Sequence, residues 1–441
     1  MRKTVALNEL VTLQRGFDLP KSDRKNGSFP VIASTSIGGY HDSFKVKGPG
    51  VVIGRSGSIG GGQFIEQDFW PLNTTLWVKD FKGHDERFIY YLMKSIDFSV
   101  FNVGSGVPTL NRNHLSSLNV RLFSQTEEII ISDILGALDD KIELNQKTNQ
   151  TLEQIAQAIF KSWFVDFDPV IDNALEQGKL LPEALAKRAE QRKAVRAQQA
   201  KGELPSLPKD LRQRFPSDFV FSDELGWVPK GWEIGKLKDI ASVKAGYAFK
   251  SKSFQDNGAA VLKIKNINSD RTVDTQDCRC IPDDLVSKYN EYVLRDGDII
   301  MAMTGATVGK FGLLTLSDDR NYLLNQRVAL LRELKSENSC SNFLYSYLLT
   351  NAIDEMVSNL AQGSAQPNAS ANDIENIKMV APDRAVIDIY KTHTSAMFEK
   401  INSSRKESQT LSELRDTLLP KLISGELRIP DAEKLAADAG L

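Results

Sequence analysis

The sequence of 441 residues predicts an α+β multidomain protein, in which two α/β domains are separated by two long helices that form an antiparallel coiled coil. The two halves are related as a pseudo-twofold internal repeat. Three observations predict this fold class. A glycine-rich loop occurs twice, further matches run through both halves in the same order, and an apolar heptad pattern follows each α/β stretch.

The glycine-rich loop follows an apolar strand in each half. Residues 303–312 read MTGATVGKFG, and residues 51–64 read VVIGRSGSIGGGQF, so that Gly305 matches Gly57. A nucleotide-binding phosphate loop needs G-x-x-x-x-G-K followed by Ser or Thr, whose hydroxyl binds Mg²⁺. In the second copy the spacing is one residue short, and Phe311 occupies the place of the metal ligand. The pattern therefore indicates a repeated turn rather than a nucleotide site.

The matches around this loop define the repeat. LNELVTLQRGFDL (7–19) aligns with LKDIASVKAGYAF (237–249), and from Gly104 onward the halves align at an offset of 259 residues without a gap. The repeated unit therefore covers roughly residues 1–164 and 232–423. Within each unit, short apolar strands alternate with Gly, Asn and Ser turns and with helical stretches, a mixture that is typical of an α/β domain.

A long helix is predicted after each α/β domain, because these stretches carry an apolar heptad pattern. In the first helix the pattern consists of Leu135, Leu138, Ile142, Leu152 and Ile159, and in the second of Met397, Ile401, Leu411 and Leu418. A length of about 35 residues corresponds to roughly 50 Å. Pro420 should end or kink the second helix.

Both helices become polar midway, at Asn145 and Asn149 in the first and at Ser404 and Ser408 in the second. Polar residues in a helical seam weaken pairing but fix its register, so the matched positions favour pairing of the two helices. The alternative is that each helix packs only on its own domain. A pseudo-twofold axis perpendicular to the helices would pair them antiparallel and place one domain at each end.

The predicted boundaries follow from these changes in pattern. Residues 174–226 between the repeats are highly charged, with one exposed helix and a Pro-rich connector, so we expect a solvated spacer. The predicted segments are the first α/β domain (1–122), the first long helix (123–168), the charged spacer (169–230), the second α/β domain (231–383), the second long helix (384–425) and a tail (426–441).

Composition limits the class of protein. A quarter of the residues are charged, and the sequence has no apolar run long enough to cross a membrane. Glu9 lies where a signal peptide would have an apolar segment, so we expect a cytoplasmic protein. The three cysteines include the pair Cys278 and Cys280, but Cys340 and the four histidines lie far away in sequence. Free thiols are thus expected, and no metal site.

Four motifs carry a resemblance to a known family. IFKSWFVDFDPV (159–170), VPKGWEIGKLKDI (228–240), TLLPKLISGEL (417–427) and the paired loops GSGVPTLN and GSAQPNAS resemble the specificity (S) subunit of type I restriction-modification systems. The motifs occur in that family's order, and the resemblance covers nearly the whole chain. One departure is that the second helix ends in LLPKLISGEL, whereas the first ends in FKSWFVDFDP.

The resemblance implies a function. The two α/β domains would be target-recognition domains, each of which recognises half of a bipartite, asymmetric site in double-stranded DNA. The helices would be the conserved helices that dock two methyltransferase (M) subunits and recruit two restriction and translocation (R) subunits. The chain itself would need no cofactor, because S-adenosylmethionine, ATP and Mg²⁺ are expected on the partner subunits.

The charge of the chain is unusual for a DNA-binding protein, since the net charge is only −2. Residues 1–122 hold 15 Lys and Arg against 10 Asp and Glu, a net charge of +5, whereas residues 232–383 hold 17 against 20, a net charge of −3. The second domain therefore cannot rely on its overall charge to attract DNA. Partner subunits would have to supply part of the phosphate binding.

Candidate DNA-binding residues lie in the glycine-rich turns and neighbouring loops. Arg and Lys suit guanine edges or phosphates, whereas Asn and Gln suit adenine. Each residue alone is more typical of a turn or a solvated side chain, so the loops are the candidates as groups. In the first domain they are Arg55, Ser56, Ser58, Asn73, Thr74, Thr109, Asn111 and Arg112, and in the second Thr304, Thr307, Lys310, Asn325, Gln326, Arg327, Gln366 and Asn368.

An aromatic cluster after the first helix is the candidate partner-binding surface, because aromatic residues are enriched at interface hot spots. It consists of Trp163, Phe164 and Phe167. The alternative is that these residues belong to the core, which is the common position of large aromatic side chains.

No catalytic residues are predicted. The chain contains no Pro-Pro pair, which the base-binding motif of adenine methyltransferases requires. The leading hypothesis is thus a non-catalytic specificity subunit. One alternative is the separate recognition subunit of a fused methyltransferase-nuclease, and another is a coiled-coil adaptor without DNA contact.

Overall fold

The computed structural model describes residues 3–102, 106–334, 342–350 and 368–440. The chain folds as two compact units. The first unit consists of Met1–Leu144 with Ser408–Leu441, and the second unit of Asn145–Glu407. The boundaries between the two units, after Leu144 and after Glu407, fall within the two long helices rather than at their ends.

The first α/β domain contains two sheets. The larger has the strand order β2-β8-β5-β6 and is antiparallel, and the smaller has the order β4-β3-β7, in which β3 and β7 are parallel. Strands β1 and β9 form a separate antiparallel pair. The strands are β1 Thr4–Ala6, β2 Thr12–Arg15, β3 Phe29–Ile32, β4 Ile37–His41, β5 Gly50–Gly54, β6 Gly60–Ile65, β7 Trp70–Pro71, β8 Thr75–Asp80 and β9 Asn119–Arg121, and the helices are α1 Leu7–Leu10, α2 Glu86–Ser95 and α3 Arg112–Ser116.

Strand β5 shows why these residues form a buried sheet. Its side chains alternate between two faces, and both faces are apolar. Val51 and Ile53 pack in the main core of the first unit, which includes the buried face of α2, whereas Val52 packs against Phe69 in a smaller core. Helix α2 begins at a defined residue, because the Asp85 side chain accepts a hydrogen bond from the Phe88 backbone amide at 2.7 Å.

The second α/β domain repeats this topology. Its larger sheet has the order β13-β19-β16-β17, its smaller sheet the order β15-β14-β18, and β12 pairs with β20 as β1 pairs with β9. The predicted internal repeat is therefore confirmed. The elements between the two α/β domains are α4 Gln125–Phe164, α5 Asp168–Glu176, α6 Ala186–Ala200, α7 Lys209–Arg212, β10 Phe219–Ser222 and β11 Gly226–Pro229. The elements of the second α/β domain are β12 Glu233–Lys236, β13 Ala241–Ala245, β14 Ala259–Leu262, β15 Arg279–Ile281, β16 Ile299–Ala302, β17 Phe311–Leu313, β18 Tyr322–Leu324, β19 Val328–Glu333, α8 Asn342–Leu348, α9 Ala371–Glu375 and β20 Lys378–Ala381.

Two long helices, α4 and α10 (Arg384–Ser424), contribute to both units and pack antiparallel within each. In the first unit Arg415 binds Asp139 at 2.6 Å, and in the second unit Arg405 binds Glu153 at 2.7 Å. The higher residue number in α10 thus contacts the lower number in α4, as antiparallel pairing requires. Helix α4 has 40 residues and is therefore about 60 Å long, which exceeds the predicted 50 Å.

The predicted seam residues lie in the interior. Leu135, Leu138, Ile142, Leu411 and Leu418 are buried in the core of the first unit. In the second unit Ile401 is buried, and Leu152, Ile159 and Met397 are half-buried against the same core. The terminal helix α11, Ile429–Asp438, adds Ala432 and Ala436 to the core of the first unit.

The polar positions of the seam are buried as well. Asn145, Asn149 and Ser404 are buried and Ser408 is half-buried, and the Asn145 amide donates a hydrogen bond to Glu407 at 2.8 Å. Pro420 lies inside α10, which continues to Ser424. The helix therefore does not end at this proline, because the surrounding apolar residues Leu418, Leu419 and Leu422 are buried and hold the last turn in place. The alternative, a kink at Pro420, stays a prediction.

A tyrosine, an acid of α4 and an arginine of α10 meet in each unit. In the second unit Tyr345 donates a hydrogen bond to Glu153 at 3.2 Å, beside the Arg405 guanidinium. Burial raises the pKa of Glu153, and the charge of Arg405 opposes this effect. In the first unit Tyr91 donates to Asp139 at 2.7 Å. Each α/β domain is thus tied to the charged seam of the helices.

The aromatic residues after the first helix lie in the core of the second unit. Trp163 is 5% exposed, and Phe164 and Phe167 are each 8% exposed. The Trp163 ring lies 5.2 Å from the Phe215 ring, and the Phe164 ring lies 5.1 Å from the Phe343 ring. Side chains this buried present little surface to another protein, and their burial agrees with the alternative of core packing.

The segment predicted as a charged spacer (169–230) begins with two packed helices. Helices α5 and α6 lie side by side and run parallel, and Asp168 to Ala174 of α5 are all buried. Acidic residues at every fourth position of α5 face arginines at every fourth position of α6, because this spacing places each set on one helical face. The pairs are Arg188 with Asp168 at 2.7 Å, Arg192 with Asp172, and Arg196 with Glu176 at 3.7 Å.

No helix in the described ranges is both long and apolar enough to cross a membrane.

The first prediction concerns the aromatic core. Trp163→Ala should lower the free energy of unfolding by about 3–5 kcal/mol, because it leaves a cavity among packed rings. Phe221, which is 62% exposed, supplies the matched control, and Phe221→Ala should change stability little. Urea denaturation of both variants gives the values. A Trp163 variant as stable as the Phe221 variant would contradict its position in the core.

The second prediction concerns the seam. Arg405→Met should lower stability by about 3–5 kcal/mol, because it leaves the buried Glu153 carboxylate without its partner. Since burial already raises the pKa of Glu153, loss of Arg405 should raise it further. Glu153 then becomes neutral more readily in the folded chain, so the loss should be smaller at about pH 5 than at about pH 8.

Adding Glu153→Gln to this variant supplies the control, because the double variant holds no buried unpaired charge at this place. It should recover part of the lost stability and abolish the extra pH dependence. Denaturation midpoints of the three proteins at both pH values measure this. Additive losses in the double variant would show that the two residues are not coupled.

Candidate nucleic-acid interface

Three loops converge at one edge of the first α/β domain. The turn after β5, the β7–β8 connection and the segment before α3 are joined by backbone hydrogen bonds. The Arg55 amide donates to the Thr74 carbonyl at 2.8 Å, and the Leu110 amide donates to the Arg55 carbonyl at 2.8 Å. The structure therefore brings together the predicted residues of this domain: Arg55, Ser56, Ser58, Asn73, Thr74, Thr109, Asn111 and Arg112.

The second α/β domain assembles its loops in the same way. The Met303 amide donates to the Arg327 carbonyl at 3.0 Å, and the Ala369 amide donates to the Met303 carbonyl at 2.9 Å. The bridge between Thr304 and Asn368 corresponds to the bridge between Ser56 and Thr109 in the first domain. The predicted residues Thr304, Thr307, Lys310, Asn325, Gln326, Arg327 and Asn368 lie in this group of loops, and Gln366 lies outside the described residues.

The central glycine of each turn has a positive φ angle. The φ angle is +85° at Gly57 and +82° at Gly305, and a Cβ atom at either would meet no other atom within 4 Å. Glycine is therefore needed for the backbone conformation and not for space. The second turn leads into strand β17, whereas a phosphate loop leads into a helix. This arrangement does not support the nucleotide-binding alternative.

The loop cations are available to an anionic ligand. Arg112 and Arg327 are exposed, and Arg55 and Lys310 are half-buried. Within the part of the chain that the structure describes, none of these four side chains forms a hydrogen bond or ion pair. A cation without an internal partner can bind phosphate or a guanine edge without first breaking a contact.

Other predicted residues hold the loops in shape. The Asn111 side chain accepts a hydrogen bond from the Asn113 amide at 3.0 Å and caps α3, and the Thr109 hydroxyl donates to the Val107 carbonyl at 3.1 Å. The Asn73 amide donates to Asp18. These contacts agree with the alternative that such residues shape turns.

Sequence reasoning missed Ser34. Its hydroxyl lies between two of the loops and contacts the carbonyl oxygens of Ser56 at 2.9 Å and of Thr74 at 3.0 Å. The only signal was its position two residues after the buried strand β3. Ser34 therefore joins the turn after β5 to the β7–β8 connection and stabilises the loop group.

The cysteine pair has the properties of structural thiols. Cys280 is buried and Cys278 is half-buried. Burial, together with the nearby Asp274, raises the pKa of Cys278 to about 11. This thiol therefore stays protonated at neutral pH, as a packed rather than a reactive cysteine does.

Comparison with known families and structures agrees with this geometry. The family model described as "Type I restriction modification DNA specificity domain" matches residues 2–154 and 229–388, once for each repeat. The type I restriction enzyme HindI specificity subunit of Haemophilus influenzae is 30% identical over 338 residues, which cover 73% of this chain and 71% of that protein. The MjaIX specificity subunit of Methanocaldococcus jannaschii is 25% identical and covers 82% of this chain and 74% of that protein.

Among solved structures, the S subunit of a type I restriction-modification system from M. genitalium has a similar fold. The two chains are 16% identical, the alignment covers 96% of each, and the TM-score is 0.52. The family match covers more than half of the chain and includes both loop groups. The chain therefore belongs to the family of type I restriction-modification DNA specificity subunits.

Proposed function

We propose that the loop groups of both α/β domains bind double-stranded DNA and that each recognises one half of a bipartite, asymmetric site. The duplicated loop group, with its unpaired cations, carries this proposal. Two copies of one backbone arrangement present different side chains, so the two half-sites differ in sequence. Base contacts set specificity, whereas phosphate contacts set affinity.

Within each loop group, the side chains divide by chemistry. Arg55, Arg112, Lys310 and Arg327 suit guanine edges or phosphates. Asn325, Gln326 and Asn368 have amide groups that suit adenine. Since Asn73, Thr109 and Asn111 already hold turns, they position the loops and are weaker candidates for base contact.

The chain acts without catalysis of its own in this proposal. Two M subunits dock on the helices and transfer methyl groups, and two R subunits provide translocation and cleavage. S-adenosylmethionine, ATP and Mg²⁺ bind to those partners, and the complex works in the cytoplasm. The M contacts involve surfaces other than Trp163, Phe164 and Phe167, because these side chains are buried. A fused methyltransferase-nuclease partner is the alternative, and a fused gene beside this one would indicate it.

The third prediction tests the separation of the two domains. Residues 1–122 are replaced by the corresponding region of the Haemophilus influenzae relative, and the chimera is expressed with the methyltransferase subunit. One half of the methylated motif should change and the other half should stay intact, because each domain has its own loops. Genome-wide mapping of methylated adenines measures the motif. A change in both halves would contradict independent recognition.

The fourth prediction tests one loop cation. Arg327→Ala should weaken binding of the methyltransferase complex to its target duplex by about 1–3 kcal/mol, which is roughly 5-fold to more than 100-fold. Arg295→Ala is the control, since Arg295 is also exposed but lies before the opposite end of strand β16. Equal affinities of the two variants would remove Arg327 from the interface. An equal loss on target and random duplex would assign it to phosphate.

A further inference from the structure

A second cluster of positive charge lies in the second unit, outside the predicted loop residues. The Lys263 Nζ atom lies 4.2 Å from the centroid of the Phe254 ring, and the Arg279 guanidinium carbon lies 5.5 Å from the same centroid. Two cations thus share one aromatic ring. Neither side chain has an acidic partner within ion-pair distance among the residues that the structure describes.

This absence of an acidic partner distinguishes the cluster from its surroundings. The neighbouring Lys265 binds Asp277 at 2.7 Å, and Lys244 binds Glu291 at 2.7 Å. Burial lowers the pKa of Lys263, and the charges of Arg279 and Lys265 lower it further. Two uncompensated like charges repel each other, so an anion that binds between them relieves this repulsion.

The cluster lies at the same sheet edge as the loop group. Strands β14 and β18 are parallel and end side by side, at Leu262 and Leu324. Lys263 is the next residue of the first strand and Asn325 of the second, and the Asn325 amide donates to the Leu262 carbonyl at 3.1 Å. Arg279 opens β15, opposite Val261. Lys263 therefore lies beside Asn325, and Arg279 lies at the same end of the sheet, on the other side of β14 from β18.

The first domain has no charge at the residue equivalent to Lys263. Strand β3 occupies the place of β14 and ends at Ile32 beside Pro71 of β7. The next residue is Ala33, which carries no charge. The domain with net charge −3 therefore has a lysine directly after this strand, whereas the domain with net charge +5 has an alanine there and places Arg24 beside Gly38 of the neighbouring strand β4.

We propose that Lys263 and Arg279, held over Phe254, bind a backbone phosphate of the DNA whose bases face residues 325–327. This proposal rests on the proposed function and adds a binding site to it. Lysine and arginine that bind phosphate release counterions from DNA, which makes affinity depend on salt. Such contacts position the duplex and leave the recognised sequence unchanged. The acidic second domain thereby gains a local attraction for DNA.

The test compares two double variants with the same change in net charge. Lys263→Gln with Arg279→Gln removes the cluster, and Lys244→Gln with Lys265→Gln removes two cations that are already paired. Binding of the methyltransferase complex to a duplex with its methylated motif is measured from low to high salt. The slope of log K against log salt should fall by roughly one for the first variant, because one phosphate contact is lost, and change little for the second.

Neutral methylphosphonate linkages, introduced one at a time, locate the contact. At one position the neutral linkage should weaken binding of the wild-type complex but not of the Lys263 and Arg279 variant. Arg279→Gln alone, at an exposed residue, carries the salt test if the double variant unfolds. Equal slopes for the cluster and control variants would overturn the phosphate site. Failure of the wild-type complex to prefer its motif over random duplex would instead overturn the proposed function.

Discussion

The ion pairs between the two long helices fix the arrangement within each unit. Two helices with an apolar seam can slide along each other, because one leucine can take the place of another one turn away. A slip at Asp139 and Arg415 or at Glu153 and Arg405 would instead leave half-buried charges unpaired. The α/β domains depend on the same pairs. Tyr91 donates to Asp139 and a second tyrosine donates to Glu153, so each domain is bound to a defined turn of helix.

Both domains use a shared backbone to present different chemistry. The hydrogen bonds that join the loops run between main-chain atoms, as in the contacts of Arg55 with Thr74 and of Met303 with Arg327. Main-chain contacts depend little on the side chain, so the loops can exchange residues while their arrangement persists. The main chain thus forms the framework, and the side chains are left to determine specificity. The uncharged Ala33 and the cationic Lys263 at equivalent strand ends illustrate this division.

Sequence periodicity predicted the duplicated α/β domains, the two long helices and most of the loop group. Those features depend on local patterns, such as the turn at Gly57 and the heptad through Leu138. The ion pairs within the spacer were not predicted, because a highly charged segment is typically solvated. Only the pairing of α5 with α6 shows that Arg188 and Arg192 neutralise acids on another helix. The cluster of Lys263, Arg279 and Phe254 could not be predicted from the sequence either, because its members lie in separate segments of the chain.

The central claim is that two copies of one loop group recognise two different half-sites. The most direct measurement is sequencing of modified adenines in a methylation-free host that expresses this chain with its methyltransferase subunit. The account predicts a single motif with two unlike half-sequences separated by a gap of fixed length and free sequence. A contiguous motif, or a palindrome with identical halves, would contradict it.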